Sequence, residues 1–517
     1  MDEGHRVTLL PRMRRDRWAV LGVILVAAFA LRAARLGELP GGFLVFNEGF
    51  YIDLATRMAA QPAFAWFLHP LDVNNPPLFS AIVSLLYRLG APHVAGARAV
   101  SVLAGVWSVY VTFLLGRLLF DERTGLLAAA LLAAMPGVVL VDHNIQVDPL
   151  FVALMLTSVC LYVHAARAGS GASAVAGGVL LGLACIVKQP AVVVVPVLAL
   201  WETWSSRGFR WLRARRAWLF LVAFVLVGAP WYVAQVLTKS AESMFSNAAD
   251  IAATSRNYGS VFWLKILGRE LLWMLFPFTA ALVVWGWARQ AIRRTAGDKL
   301  VLVASAAFLA WYLVFHRHTY YLLPLAPFAA LAAARATSGL ERLAKPVRTV
   351  LLGVLLTAMV LGSVLMMTGH KWGRWSLMSL EPPSASAART VLFVEPDVQG
   401  FVGPTVNLVD PRFEVQILSA PDFASRATDT ADTSLLLSGE LVNGDNAPLK
   451  PSQVLYDTRL RPVFFGFAIA LLPPDLTSSQ FFGELSWSAE KVGPFWDFGL
   501  RSAQVPSGLY LYDRGSF

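Results

Sequence analysis

Residues 42–78 read GFLVFNEGFYIDLATRMAAQPAFAWFLHPLDVNNPPL, and the rest of the chain is read outward from them. This polar segment carries Glu48, Asp53, His69, Asp72 and the run Asn74-Asn75-Pro76-Pro77-Leu78. It interrupts a chain otherwise built of long apolar runs, and it is longer than a connector between two hydrophobic spans requires. A segment of this kind, directly after the first apolar run, points to chemistry at a membrane face.

Composition fixes the class. A chain of 517 residues that is 56% hydrophobic and only 15% charged is not an ordinary soluble globule; its mean hydropathy is +0.58. Apolar runs recur near the roughly 20 residues that cross a bilayer. Eleven are read, at 18–36, 94–116, 125–141, 149–165, 174–187, 190–204, 217–237, 271–288, 300–315, 320–335 and 349–368. The expected fold is a polytopic all-α membrane domain over residues 1–368 with about eleven transmembrane helices. Arg12, Arg14, Arg15 and Arg17 ahead of the first run also look like the start of a signal peptide. That run exceeds the usual apolar core of such a peptide, and many further spans follow.

Charge gives the orientation. With the N-terminus inside, the inner segments 1–17, 117–124, 166–173, 205–216, 289–299 and 336–348, with Arg335, hold twenty-one Lys and Arg. The outer segments 37–93, 142–148, 188–189, 238–270 and 316–319 hold eight. This is the positive-inside asymmetry, and Arg207, Arg210, Arg213, Arg215 and Arg216 are its clearest instance. The net charge of +10 therefore reports topology and anionic headgroups, and no nucleic-acid partner is expected.

Residues 369–517 contain no membrane-length apolar run and carry eleven basic against sixteen acidic residues. The eleventh span delivers them to the outside. Short β-like runs at Thr390–Val394, Val406–Val409, Val415–Leu418 and Leu509–Tyr512 alternate with Pro, Gly and Asp turns. A soluble mixed α/β domain is expected there, joined through a linker at 380–388. The two cysteines, Cys160 and Cys185, fall within spans and read as small buried residues. No CxxC, HExxH, P-loop or dinucleotide motif is present.

With that topology, polar residues from distant parts of the sequence gather at the outer face. Residues 42–78 supply Glu48, Asp53, His69, Asp72 and Asn75; VDHNIQVDP supplies Asp142, His143 and Asp148; VKQP supplies Lys188. The 238–270 loop supplies Arg256, Tyr258, Lys265 and Arg269, and the turn before the tenth span supplies His316, Arg317, His318, Tyr320 and Tyr321. Carboxylates and cations together suit a reaction needing a base and an anionic phosphate partner. Each also has a plainer reading. Asp148-Pro149 fits a helix cap followed by Pro at the first helical position, Glu48 a solvated loop acid, Lys188 a snorkelling side chain. Arg317 and His318 fit an interface beside an aromatic belt. His69 and His143 with an acid could hold a divalent metal, but their spacing matches no compact motif, so the metal stays open.

The chain resembles the bacterial GT-C glycosyltransferases of the protein O-mannosyltransferase and aminoarabinose (lipid A) transferase type. The matching segments run in order over roughly residues 30–335. ALRAARLGELPGGFLVFNEGFYIDLATRM places Arg32, Glu48, Tyr51, Arg57 and Met58 where that family has its span-end arginine, its acid pair and the Tyr and Arg-Met that follow. NNPPLF, QVDPLFVALMLTSVCLY, GLACIVKQPAVVVVP, GAPWYV and RHTYYLLPLAPFAALAAA are similar to its later segments. The resemblance implies a sugar donor on a polyprenyl phosphate, a lipid, glycan or protein acceptor, no organic cofactor, and a site on the periplasmic side of the inner membrane. Glu48 and Asp148 would be the catalytic acids, within about 10 Å of each other. Arg256, Lys188 and Arg317 would bind the donor phosphate, and Tyr51, His69, Asn75, His143, His318 and Tyr320 would line the substrate.

Two departures matter. Asn47 stands where the family has the first acid of its pair, and Asn75 where many relatives have a lysine. Glu48 or Asp148 must then serve as base, and Arg256 is the first candidate for the missing cation. The rival readings are a flippase or transporter for lipid-linked sugars and a non-catalytic glycan-binding relative. A transporter should place ionisable groups near mid-bilayer in paired halves, whereas the acids here cluster at one face and no twofold repeat is found.

Overall fold

The computed structural model describes residues 15–34, 36–37, 45–62, 76–90, 94–206, 208–239, 268, 271–272, 274–315, 319–337 and 344–371, together with seven short strands between 390 and 512. The helices are α1 (Arg15–Ala33), α2 (Val45–Ala60), α3 (Leu78–Leu89), α4 (Val94–Leu119), α5 (Glu122–Ala134), α6 (Pro136–His143) and α7 (Val147–Ala168). They continue as α8 (Gly171–Val187), α9 (Val194–Ser206), α10 (Arg215–Lys239), α11 (Pro277–Arg293), α12 (Ala296–Val314), α13 (Ala326–Thr337) and α14 (Lys345–Lys371). Among the described residues, five helices are long and apolar enough to cross a membrane: α4, α7, α10, α12 and α14. A sixth span is added if the bent pair α5–α6 counts as one.

The helices sort by what surrounds them. In α7, 72% of the most apolar window is buried in protein, against 28% in α10 and 22% in α14. Exposed Trp218, Val222, Leu226 and Val233 on α10, and Val350, Leu351 and Val354 on α14, form apolar faces fit for lipid. The α8–α10 contact relies on small residues. Gly178 and Gly182, four apart on one face, meet Phe220, Val227 and Gly228, and an added Cβ at Gly182 would lie 2.7 Å from Val227. Ala-rich α13 is buried along almost its whole length against α11 by the same means.

Two expectations from the sequence are corrected here. Residues 45–60 and 78–89 are helical, so much of the polar segment is not a loop. Tyr51, Ile52, Ala55 and Met58 of α2 recur at helical spacing and are buried. In α3, Phe79, Ser80, Val83, Ser84 and Tyr87 form the inward face. The span expected at 125–141 is broken, bending by 64° between α5 and α6. Met135 is extended and Pro136 opens α6. Pro has no N–H, so carbonyls in the turn before it lose their backbone donors. Those carbonyls are nevertheless satisfied. Arg32 Nη2 donates to Leu132 O (3.3 Å), Arg32 Nη1 to Ala133 O (2.9 Å), and Ser363 Oγ to Ala134 O (3.0 Å). An unpaired carbonyl at this depth would cost several kcal/mol (about 2–7), and the span-end arginine removes that cost.

In the C-terminal region the strands are β1 (Thr390–Val394), β2 (Phe413–Ile417), β3 (Ser434–Ser438), β4 (Gln453–Val454), β5 (Val463–Phe464), β6 (Ala470–Leu471) and β7 (Tyr510–Tyr512). One sheet has the order β2-β1-β3-β7-β4. β1 pairs in parallel with β2 (Thr390 opposite Phe413) and with β3 (Val391 opposite Ser434), while β7 runs antiparallel to β3 and β4. Parallel neighbours require crossover connections. β5 and β6 form a separate antiparallel pair. The run expected at Val406–Val409 lies outside the described residues.

Candidate active site

The bend at Pro136 turns α6 so that it ends in a corner, His143-Asn144-Ile145-Gln146, from which α7 departs. Every residue from Asp142 to Asp148 is buried, five of the seven polar. Polar groups inside a membrane bundle persist only when held by partners or used by a ligand, and three ion pairs hold this corner.

The first pair is Arg32 with Asp142, Nε to Oδ2 at 2.8 Å, both buried. Gly105 of α4 makes room for it, since an added Cβ would lie only 2.9 Å from Asp142 Cβ. His143 Nδ1 lies 2.8 Å from Arg32 O, so the end of α1 is tied to both polar residues that close α6.

The second pair is Glu48 with Arg98. Arg98 Nε donates to Oε1 at 2.8 Å and Nη2 to Oε2 at 3.0 Å, with both side chains wholly inaccessible. Ile145 N–H donates to the same carboxylate at 3.0 Å, and Arg98 Nη1 reaches Leu36 O at 3.0 Å. A carboxylate offers about four acceptor positions, and these bonds occupy three of Glu48's. The planar fork of arginine matches the carboxylate, which gives this pair its geometry. Glu48 thereby joins α2, α4 and the corner.

The third pair is Asp148 with Lys188, Oδ1 to Nζ at 2.7 Å. Asp148 is 1% exposed and Lys188 15% by side chain. Asp148 occupies the second position of α7, where the helix dipole favours negative charge. The capping role expected for it does not occur: Gln146 is the N-cap residue, so Asp148 lies already inside the first turn. Lys188 ends α8, and its N–H bonds Ala184 O at 2.8 Å. Its ammonium stands 4.2 Å from the Tyr321 ring centroid and 5.1 Å from that of Tyr320, an arrangement in which the ring faces attract the cation.

The pairs leave specific atoms over. Among the described residues, Asp148 Oδ2, Asn144 Oδ1 and both amide atoms of Gln146 are buried and make no hydrogen bond. The Gln146 backbone is meanwhile pinned: its N–H donates to Ser101 Oγ at 3.2 Å, and its carbonyl accepts from the same hydroxyl at 3.0 Å. Buried polar atoms without partners are rare enough to need a reason, and several meet here at one corner.

Of the residues expected in the site, Glu48, His143, Asp148, Lys188 and Tyr320 are at this corner. Glu48 holds the N–H of Ile145, three residues before Asp148, a stretch of chain spanning at most about 11 Å. Tyr51 packs between Phe50 and Phe79, ring centroids 5.2 and 5.5 Å away, within the α2–α3 contact. His69, Asn75, Arg256, Arg317 and His318 lie outside the described residues. Among the described residues, no group of three His, Cys, Asp or Glu side chains could hold a metal ion. Arg98, Ser101 and Gln146 were not anticipated. An arginine inside an apolar span was the available signal for Arg98, because intramembrane charges come with partners.

Comparison with known proteins agrees with this architecture. Residues 74–233 match the family described as Dolichyl-phosphate-mannose-protein mannosyltransferase. A stretch of 160 residues, 30% of this chain, is 32% identical to the undecaprenyl phosphate-alpha-4-amino-4-deoxy-L-arabinose arabinosyl transferase of Pseudomonas aeruginosa. That match spans 29% of the relative's own length. The crystal structure of ArnT from Cupriavidus metallidurans bound to undecaprenyl phosphate superposes with a TM-score of 0.60 at 15% identity, covering 86% of this chain and 97% of ArnT. Its apo form gives 0.53 at 13% identity, covering 82% and 92%. At these identities the likeness to ArnT is one of fold.

Proposed function

We propose that this chain, a multi-pass membrane protein of GT-C-like, mannosyltransferase and aminoarabinose-transferase type, moves a sugar from a polyprenyl-phosphate-linked donor to an acceptor. The reaction takes place at the α6–α7 corner, on the periplasmic side of the inner membrane. The observation that carries this reading is the Asp148–Lys188 contact: a buried carboxylate with one oxygen on a lysine and the other without a partner. The positive-inside asymmetry supports the orientation, because the corner lies at helix ends away from the basic segments. The likeness to a protein that binds undecaprenyl phosphate supports the donor class. Residues 1–368 form the membrane catalytic domain, and 369–517 an external mixed α/β domain built on the β2-β1-β3 parallel strands.

The chemistry follows from the pairs. A polyprenyl phosphate is already an adequate leaving group, so the site must activate the acceptor hydroxyl and neutralise the departing phosphate. Asp148 Oδ2 accepts the acceptor's proton. Lys188, with three N–H donors of which Asp148 takes one, offers the others to the phosphate. Arg256 and Arg317 supply further positive charge, offsetting Asn75 where relatives have lysine. Glu48 serves as the anchor of the corner: Arg98 and Ile145 already hold its oxygens, so proton transfer falls to Asp148. That division also accommodates Asn47 in the place of a family acid.

The test is donor binding and transfer by the purified full-length protein in liposomes, with undecaprenyl-phosphate-linked pentoses and hexoses as donors. Lys188→Ala should weaken donor affinity about 10-fold or more, since charge-assisted hydrogen bonds are worth roughly 1.5–3 kcal/mol. Lys188→Arg should recover part of it. Unaltered donor affinity in Lys188→Ala, with the protein folded, would move the phosphate role to Arg256 or Arg317.

A further inference from the structure

At the end of the bundle opposite the Asp148 corner, five helices converge on a cavity of about 780 Å³. Each contributes one arginine: Arg17 from α1, Arg123 from α5, Arg293 from α11, Arg335 from α13 and Arg348 from α14. Two carboxylates share the lining, and both are engaged. Glu122 pairs with Arg17, and Asp121 caps α5 by accepting from Thr124 N at 2.9 Å and from Thr124 Oγ1 at 2.8 Å. Arg335 also pairs with the buried Asp298 behind the lining, at 3.6 Å, yet five guanidiniums against three carboxylates still leave the cavity net positive. The positive-inside rule explains why arginines sit at this end. It does not explain why five separate helices aim theirs at one cavity.

The surroundings identify the ligand class. Two of the contributing helices, α1 and α14, carry exposed apolar faces: Val20, Val23 and Val26 on α1, Val347, Val350 and Val354 on α14. Leu352 of α14 and Leu127 of α5 also reach the lining. The cavity thus adjoins lipid-facing surface on two sides while its lining presents arginine forks suited to phosphate oxygens. A soluble anion would use the forks alone; a ligand with a phosphate head and acyl chains would use both.

We infer that this cavity binds the phosphate headgroup of an anionic phospholipid, with its acyl chains lying along α1 and α14. Arg293, the last residue of α11, and Arg348, in the first turn of α14, bring guanidiniums to the lining from two helix ends and are the contacts tested. This site is separate from the proposed sugar-transfer corner, and its ligand does not depend on that reaction.

The test is native mass spectrometry of the full-length protein released from nanodiscs of phosphatidylcholine containing about one fifth phosphatidylglycerol. Wild type should retain phosphatidylglycerol in preference to phosphatidylcholine. Arg293→Gln/Arg348→Gln should lose that preference about tenfold, and Arg123→Gln should weaken it in part. The control is Arg210→Gln/Arg213→Gln, from the basic segment 209–213, which shares the same end of the bundle without lining the cavity. It should retain the lipid as wild type does. Equal loss in the control would reduce the effect to general interfacial charge and overturn the site, as would unchanged retention in the cavity variant. Displacement of the lipid by millimolar pyrophosphate, with no preference among lipids, would instead assign the cavity to a soluble polyphosphate and overturn the lipid assignment.

Discussion

The two ends of the bundle handle charge in opposite ways. At the α6–α7 corner each cation meets one carboxylate, Arg32 with Asp142, Arg98 with Glu48 and Lys188 with Asp148, and all but Lys188 are essentially inaccessible. At the other end arginines outnumber acids around an open cavity, and the Arg17–Glu122 pair has side chains 31% and 19% exposed. Buried pairs fix geometry, because removing either partner strands the other in a medium that cannot solvate it. Half-exposed pairs set a field and little else. The corner is rigid and stoichiometric, as a reacting centre requires; the basic end is adaptable, as a lipid contact permits.

The contrast breaks first, if it is wrong, at Arg98. Arg98→Ala leaves the buried Glu48 carboxylate without its guanidinium, and should cost about 3–5 kcal/mol of stability, read from the unfolding midpoint of the purified protein in detergent. The pair replacement Glu48→Leu/Arg98→Met should recover most of that loss, because the cost lies in the stranded charge. A single variant as stable as wild type would mean that water reaches Glu48.

Arg32→Met comes next. It strips Asp142 of its partner and Leu132 and Ala133 of their donor. The same assay should show a loss of about 3 kcal/mol. A negligible effect would show that the broken α5–α6 span satisfies its own carbonyls.

A packing change away from both ends calibrates these values. Gly182→Val forces a side chain into the α8–α10 contact and should cost about 1–3 kcal/mol without changing donor affinity. At the basic end, Arg17→Ala should change stability by no more than about 1 kcal/mol, and less at high salt. A larger, salt-insensitive loss would make that pair structural and erase the contrast.

Much of the helical frame was legible because lipid tolerates few alternatives to apolar helices. The stripe Tyr51, Ile52, Ala55, Met58 that makes α2 a helix was also present in the sequence, but Glu48, Asp53 and Arg57 gave the segment a loop-like composition. Pro136 was visible inside an apolar run, yet the break was not anticipated, because its compensation by Arg32 and Ser363 comes from 100 and 229 residues away. The outer-face grouping placed Glu48, His143, Asp148, Lys188 and Tyr320 in one neighbourhood. Who pairs with whom was not readable. Glu48 finds Arg98 across 50 residues and Asp148 finds Lys188 across 40, and no local pattern encodes such choices. The order of the strands β2-β1-β3-β7-β4 is likewise a matter of long-range pairing, although the runs that became β1, β2 and β7 were visible.

The assignment of proton transfer to Asp148 is the centre of this account, and one comparison tests it directly. Sugar transfer from an undecaprenyl-phosphate-linked donor is followed for wild type and Asp148→Asn under saturating donor, with donor affinity measured separately. Asparagine keeps the size of the side chain but cannot take the acceptor's proton. Turnover should fall about 10²–10⁴-fold, the usual scale for a lost general base, while donor affinity stays within a few fold of wild type. Wild-type turnover in Asp148→Asn would contradict the account and return the role of base to Glu48.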